Sequence, residues 1–230
     1  MKIHFIKHSS FLLETDKANF LFDYYEGDVP SVDKEKVLYV LASHSHGDHF
    51  SEKVFEAVKD FENVQFVLSD DIFANRVPEI YRQKTTFVSP YQTVALPDCE
   101  IETLQSTDLG VAFLIKSNGQ TIYHAGDLNA WVWSGASAHQ NRQMLEAYTQ
   151  EIERLKGTEI DLAFVPLDPR QEENFSLSMQ LFIEEVNPKQ VVPMHMWGDF
   201  SVVPAFKKRF PQYAERMLNV EADGDCISII

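Results

Sequence analysis

At 230 residues, with 44% hydrophobic and 24% charged side chains, the chain can bury a full core and lacks the composition of a disordered protein. The 35 acidic residues outnumber the 20 basic ones, and the formal charge of −15 sets up a field that disfavours nucleic-acid and membrane-surface partners. Cys99 and Cys226 are far apart with no Cys-x-x-Cys spacing, which argues against a disulfide framework or a thiolate metal site, and no apolar run reaches the roughly 18 residues of a membrane span.

The first residues, Met1-Lys2-Ile3-His4-Phe5, lack the apolar run of a signal peptide, so the cytoplasm is the expected location. Short apolar patches at Phe11-Leu12-Leu13 and Asn19-Phe20-Leu21-Phe22, separated by polar turns, predict an antiparallel start. The run Val37 to Ala42 reads as a strand covered on both faces, and it delivers the chain into Ser43-His44-Ser45-His46-Gly47-Asp48-His49. With Ser51 as N-cap, Val54, Phe55, Val58 and Phe61 recur at helical spacing before a second buried strand, Val64 to Leu68.

Downstream, Val111–Lys116 and Gln120–His124 flank Asn118-Gly119, a hairpin dipeptide, and the second arm runs into Ala125-Gly126-Asp127. Leu145, Tyr148, Ile152 and Leu155 mark an amphipathic helix over Ala138 to Lys156, stopped by Gly157. Leu162 to Leu167 predicts a buried strand, Met179 to Val186 a helix ended by Asn187-Pro188, and Val191 to Met194 a strand ending on His195. No linker or low-complexity tract divides these elements, so residues 1–230 are expected to form one α+β domain.

Three imidazoles and one carboxylate lie within positions 44 to 49, a density of borderline ligands suited to zinc or a similar divalent ion. Side chains two apart on an extended segment point the same way, so His44 and His46 can serve one ion while Asp48 and His49, beyond the turn at Gly47, face another. Isolated histidines such as His4, His124 and His139 carry no such signal, and a structural role is the default for them.

His-Ser-His-Gly-Asp-His resembles the His-x-His-x-Asp-His signature of the metallo-β-lactamase superfamily, and the later Gly126-Asp127 and His195 follow in that family's order. The resemblance implies a four-layered αββα sandwich. It also implies His44 and His46 on a first ion, Asp48, His49 and His195 on a second, and Asp127 bridging both. The family's further histidine, before the Gly-Asp motif, is missing from Gln105-Ser106-Thr107-Asp108-Leu109-Gly110, where Ser106 occupies its place and Asp108 is the alternative donor. His8, in His8-Ser9-Ser10, is expected to face substrate or to be a satisfied strand histidine. Asp23 is a candidate acceptor for a ligating imidazole N–H, and Trp131, Trp133 and Trp197 are candidate pocket walls.

The expected function is therefore hydrolysis of an ester, phosphodiester or amide bond of a small molecule. A metal-activated water or bridging hydroxide would be the nucleophile, with Asp48 orienting it or taking its proton. One or two divalent ions are expected, zinc first, with manganese or iron as alternatives. Gly47, where the diiron redox branch has glutamate, argues against oxygen reduction. Two alternatives stand beside this reading. A nuclease or phosphodiesterase would want a basic cluster that the sequence lacks; a non-catalytic metal-binding or ligand-sensing protein is suggested by the gap at Ser106.

Overall fold

A computed structural model describes residues 1–229. Three strands open the chain, β1 (Lys2–Lys7), β2 (Ser10–Glu14) and β3 (Ala18–Phe22), followed by β4 (Val37–Ala42), α1 (Lys53–Ala57), β5 (Val64–Ser69), α2 (Glu79–Arg82) and β6 (Thr85–Val88). Next come β7 (Thr93–Leu96), β8 (Cys99–Gln105), β9 (Val111–Ser117), β10 (Gln120–His124), α3 (Ala138–Glu153), β11 (Leu162–Pro166), α4 (Leu177–Val186), β12 (Gln190–Met194), α5 (Val202–Arg209) and β13 (Cys226–Ser228). One sheet has the order β13-β1-β2-β3-β4-β5-β6 and the other β12-β11-β10-β9-β8-β7. The first is antiparallel through β3 and parallel from β3 to β6; in the second, β10, β11 and β12 run parallel.

Alternation along the strands separates the layers. Phe11, Leu13, Phe20, Phe22, Tyr39, Leu41 and Val67 belong to the core shared with the second sheet, whereas Leu12, Leu21, Leu38, Val40, Phe66 and Leu68 pack with Val54, Phe55 and Tyr81 of α1 and α2. A period of two sends neighbouring residues to opposite faces, so these uniformly apolar strands need cover on both sides. Phe11 meets Phe164 at 4.6 Å across the sandwich, and Tyr123 stacks on Phe182 of α4 at 4.8 Å on the far side of the second sheet. The layers are thus helix, sheet, sheet, helix, as the sequence resemblance implied.

Local chemistry accounts for most boundaries. Asn118 and Gly119 both have positive φ (49° and 75°), as a two-residue hairpin of the expected type requires. Asn187 ends α4 in the left-handed conformation before Pro188. Ser137 and Gln140 form a capping box at the start of α3, and the regular helix stops at Glu153, three residues short of the predicted end. At α1 the cap position is Glu52, not Ser51, although the Ser51 hydroxyl accepts from the Lys53 N–H at 3.3 Å. Pro193 is tolerated within β12 because that strand is an edge of its sheet.

Both cysteines are free, Cys99 buried and Cys226 exposed. Burial, with the nearby Asp98 carboxylate, pushes the Cys99 thiol up to about 12. Since the thiolate is the reactive form, iodoacetamide at pH 8 is expected to alkylate Cys226 and spare Cys99 until the protein unfolds; equal labelling of both in the folded chain, read by peptide mass spectrometry, would contradict this. No helix among the described residues is long and apolar enough to cross a membrane.

Candidate metal centre

Parallel strands place their functional residues just past their carboxyl ends. Asp23 follows β3, His44 to His49 follow β4, Asp127 follows β10, Asp168 follows β11 and His195 follows β12, while His8 sits in the connection from β1 to β2. Four of the non-glycine residues with positive φ lie here: His8 (56°), Asp23 (43°), Trp197 (54°) and His195 (63°). Such conformations cost on the order of 1–3 kcal/mol each and persist only where surroundings impose them. Part of that imposition is visible, since the His195 N–H donates to the His8 carbonyl at 3.2 Å and Asp23 is bound through both carboxylate oxygens.

Two glycines let the strand ends close on the Ser43-His44 turn. A Cβ on Gly110 (φ 67°) would lie 2.0 Å from the Ser43 carbonyl oxygen and 2.7 Å from the His44 Cβ; one on Gly126 (φ 52°) would lie 2.6 Å from the Ser43 Cβ. Gly110→Ala is expected to destabilise the protein by about 2–6 kcal/mol, combining the left-handed backbone with an unrelieved backbone clash. Urea unfolding tests this, and a loss under about 1 kcal/mol would contradict it. Gly47 is different: a Cβ there meets nothing within 4 Å and its φ is not positive, so the local fold does not demand glycine in the turn between the two donor pairs.

The donors fall into two groups, each with its ligand atoms within 4.8 Å of one another: His44, His46, Asp108 and Asp127 in one, His8, Asp48, His49 and His195 in the other. Asp127 stands between them. Its Oδ2 is 3.6 Å from the His44 Nε2, and its Oδ1 is 3.2 Å from the His49 Nε2 and 3.3 Å from the His195 Nε2. Asp108 Oδ2 is 3.6 Å from the His46 Nδ1. The imidazoles are oriented from behind. His49 Nδ1–H donates to Asp23 at 2.8 Å and His195 Nδ1–H to Asp168 at 3.0 Å, since a carboxylate only accepts. The Ser43 hydroxyl donates to Asp23 at 2.7 Å and so accepts from the His44 Nδ1–H at 2.9 Å. Each of these three rings therefore aims an Nε2 lone pair at Asp127, the tautomer a metal ligand needs.

The side chains fit divalent cations. His8 Nε2, His49 Nε2 and Asp127 Oδ1 are buried without a hydrogen-bond partner, a costly state for polar atoms unless a cation lies among them. Two ligands held about 2.0–2.1 Å from a tetrahedral ion stand about 3.3–3.4 Å apart, close to the spacings around Asp127. Burial pushes His44 and His8 down to about 4, so both rings are neutral near pH 7. Burial alone would raise the Asp127 carboxyl and lower the His49 imidazole; their mutual attraction outweighs it and moves both the opposite way. The surroundings of Asp127 thus favour positive charge beside its carboxylate.

In front of the donors is a cavity of about 440 Å³. His46, Asp48, Asp108, Asp127 and His195 form one side; Trp131, Trp133, Trp197 and Met144 form the apolar side, with Arg170 as the one Lys or Arg on the wall. All three tryptophans singled out in the sequence thus reach the cavity, Trp131 also donating its indole N–H to the Asp127 carbonyl at 3.1 Å. His8 does not; it is buried behind the donors, its ring 4.1 Å from that of His195. Ser106 turns away, its hydroxyl accepting from the Asp108 N–H at 3.1 Å, so the serine caps the turn and the aspartate offers the carboxylate. His124 is buried, its Nδ1 accepting from the Gly126 N–H and its Nε2–H donating to the Ser9 carbonyl, while His4 pairs with Glu14 and His139 is exposed.

Sequence reasoning missed Asp168 and Arg170. Asp168 holds the His195 ring and is gripped by the Arg170 guanidinium, which lies 4.4 Å over the Trp197 ring. The signal was present: Asp168 ends an apolar strand run as Asp23 does.

The family profile described as beta-lactamase superfamily domain matches residues 2–141. A metal-dependent hydrolase of the UPF0173 group from Heliobacterium modesticaldum is 25% identical over 250 residues, covering 100% of this chain and 98% of that protein. Its counterpart from Desulforamulus reducens is 27% identical, with 100% of each covered. Among solved structures, the metallo-β-lactamase fold protein YhfI of Bacillus subtilis superposes with a TM-score of 0.67 at 17% identity, over 98% of both chains. CmlA, a diiron β-hydroxylase from Streptomyces venezuelae, shares the fold with a TM-score of 0.62 at 10% identity, over 99% of this chain and 54% of its own; the fold therefore does not select the reaction. With its profile match running from the first strand into α3, and neighbours that superpose along nearly its whole length, this chain belongs to the beta-lactamase superfamily and has the metallo-β-lactamase fold.

Proposed function

We propose that the protein is a metal-dependent hydrolase of a small molecule, holding two divalent ions, zinc first. His44, His46, Asp108 and Asp127 hold the first ion, and Asp48, His49, His195 and the shared Asp127 hold the second. The observation that carries this reading is the convergence of three oriented Nε2 atoms on the two oxygens of Asp127. When bound, such ions supply Lewis acidity and make water nucleophilic near neutral pH.

The chain's own groups do the rest. Asp48 faces the cavity, and although burial would raise its carboxyl, His8 and His49 hold it well below the usual carboxylate range. It therefore stays ionised and orients a water by accepting a hydrogen bond, a better role for it than taking the proton. Asp108 lies beside His46 on the cavity wall, where its carboxylate would complete the first donor group. The indoles of Trp131 and Trp133, stacked at 5.9 Å, exclude water and receive the apolar part of a substrate. Arg170 is already gripped by Asp168, so the wall offers no basic track for a nucleic-acid strand. Two free cysteines support residence in a reducing compartment such as the cytoplasm.

The test is a panel of chromogenic carboxylic esters, phosphodiesters and amides, assayed before and after chelation. Turnover of one bond class, lost with the chelator and restored by zinc, is expected. A chain that holds two ions yet hydrolyses no class would instead support the ligand-sensing alternative.

A further inference from the structure

His8 is unexplained by the donor set just given, and it is one of the most costly residues of the site. Its side chain is 4% exposed, its backbone is held at a φ of 56°, and its Nε2 has no hydrogen-bond partner. A histidine placed only to pack would turn that nitrogen toward a donor or be replaced by an apolar ring. Instead the donor atom falls within 4.8 Å of those of Asp48, His49 and His195. The His8 Nε2 and Asp48 Oδ2 are 3.4 Å apart, beyond the 2.7–3.2 Å of an N–H···O hydrogen bond and in the range of neighbouring ligands on one zinc ion, roughly 3–3.5 Å. The backbone holds it there: the His8 carbonyl receives the His195 N–H at 3.2 Å, tying the turn from β1 to β2 to the end of β12.

We propose that His8 ligates the second ion directly through Nε2, which closes that site with protein donors and leaves the first site as the one open to substrate. This rests on the two-ion reading above. The second ion then has His8, Asp48, His49, His195 and the shared Asp127 around it, with the His8, His49 and His195 side chains at most 4% exposed. The first has His44, His46, Asp108 and Asp127, and its His46 and Asp108 side chains are 44% and 43% exposed on the cavity wall. A structural site has its coordination completed by protein, whereas a catalytic one keeps or adds a position for water or substrate. With five donors against four, the second site is the more complete, and the half-exposed first site is the one able to add a ligand. Substrate oxygen is therefore received on the His46 and Asp108 side.

His8→Asn tests the assignment, because asparagine accepts positive φ and stays polar, while its amide extends only to the place of the imidazole Nδ1 and offers no ligand at the Nε2 position. Zinc affinity of each site is measured by chelator competition on wild type and variant, with circular dichroism to verify folding. In parallel, nitrogen-15 NMR of histidine-labelled, zinc-loaded protein reads the His8 ring. The expected result is a metal-shifted His8 Nε2 resonance and a loss of more than about 100-fold at the second site, since a residue that only orients a ligand costs about 10–100-fold. A free-imidazole shift for His8, or a loss within that smaller range, overturns direct ligation. Wild-type protein that takes up no zinc overturns the two-ion reading and this assignment together; two ions bound equally well by wild type and variant overturn His8 alone.

Discussion

Asp127→Asn is expected to lower metal-dependent hydrolysis by at least about 10³-fold while the chain keeps its fold. One Asp127 oxygen faces His49 and His195 and the other faces His44, so this side chain alone joins the two donor groups. The amide keeps the shape but removes the charge, and its NH₂ aims a donor at one of the two cation positions. Loss of several kcal/mol of stabilisation from a metal centre corresponds to about three powers of ten in rate. Circular dichroism separates a dead enzyme from an unfolded one, and a folded variant within tenfold of wild type would contradict the assignment.

The second large effect is expected at Asp23, which touches no substrate. Its carboxylate is fully buried and accepts from the Ser43 N–H, the Ser43 hydroxyl and the His49 Nδ1–H. Burial alone would raise this carboxyl, but the neighbouring imidazoles of His124 and His49 hold it below its usual value. Asp23→Ala strands those donors in a dry interior and is expected to destabilise the fold by about 3–5 kcal/mol. Asp23→Asn separates folding from ligation. The amide oxygen can still cap the Ser43 N–H, but the amide NH₂ faces the His49 Nδ1, driving that ring to the tautomer with its proton on Nε2, where the lone pair is needed. The asparagine variant should therefore be more stable than the alanine variant and still lose about 10–100-fold in zinc affinity. Chelator competition and urea unfolding on the same pair check both halves, and wild-type affinity in Asp23→Asn would refute the tautomer argument.

Much of this architecture was legible in the sequence because local signals agreed with tertiary demand. Val37 to Ala42 was apolar enough to announce a doubly covered strand, and the dense ligand cluster after it announced the chemistry. Asn118-Gly119 fixed its hairpin through backbone conformation alone. The segment β6 to β8 and the helix α5 were not read. Strand β7 is an edge with alternate residues exposed, so Thr93 to Leu96 carries little apolar pattern, and Pro204 lies in the first turn of α5, where it masks a helix it does not break.

At the site, the division of labour between Ser106 and Asp108 depended on which of two neighbouring polar side chains caps the turn. Propensity does not decide that, because both residue types favour such caps. The need for glycine at 110 and 126 comes from close approach to Ser43, and the place of His8 from a hydrogen bond to His195; both join residues far apart in sequence. His44, His46, Asp48 and His49 could be listed from spacing, and Asp127 and His195 from the resemblance of the later motifs, whereas the places of Asp168 and Arg170 behind His195 depended on contacts made only in the folded chain.

The two-ion centre is tested most directly by metal content. Chain stripped with chelator, reloaded with zinc, passed through a desalting column and measured by elemental analysis should carry two ions, and Asp127→Asn should carry at most one. Wild-type protein that retains less than one ion per chain, or an Asp127→Asn variant that retains two, would contradict the arrangement proposed here.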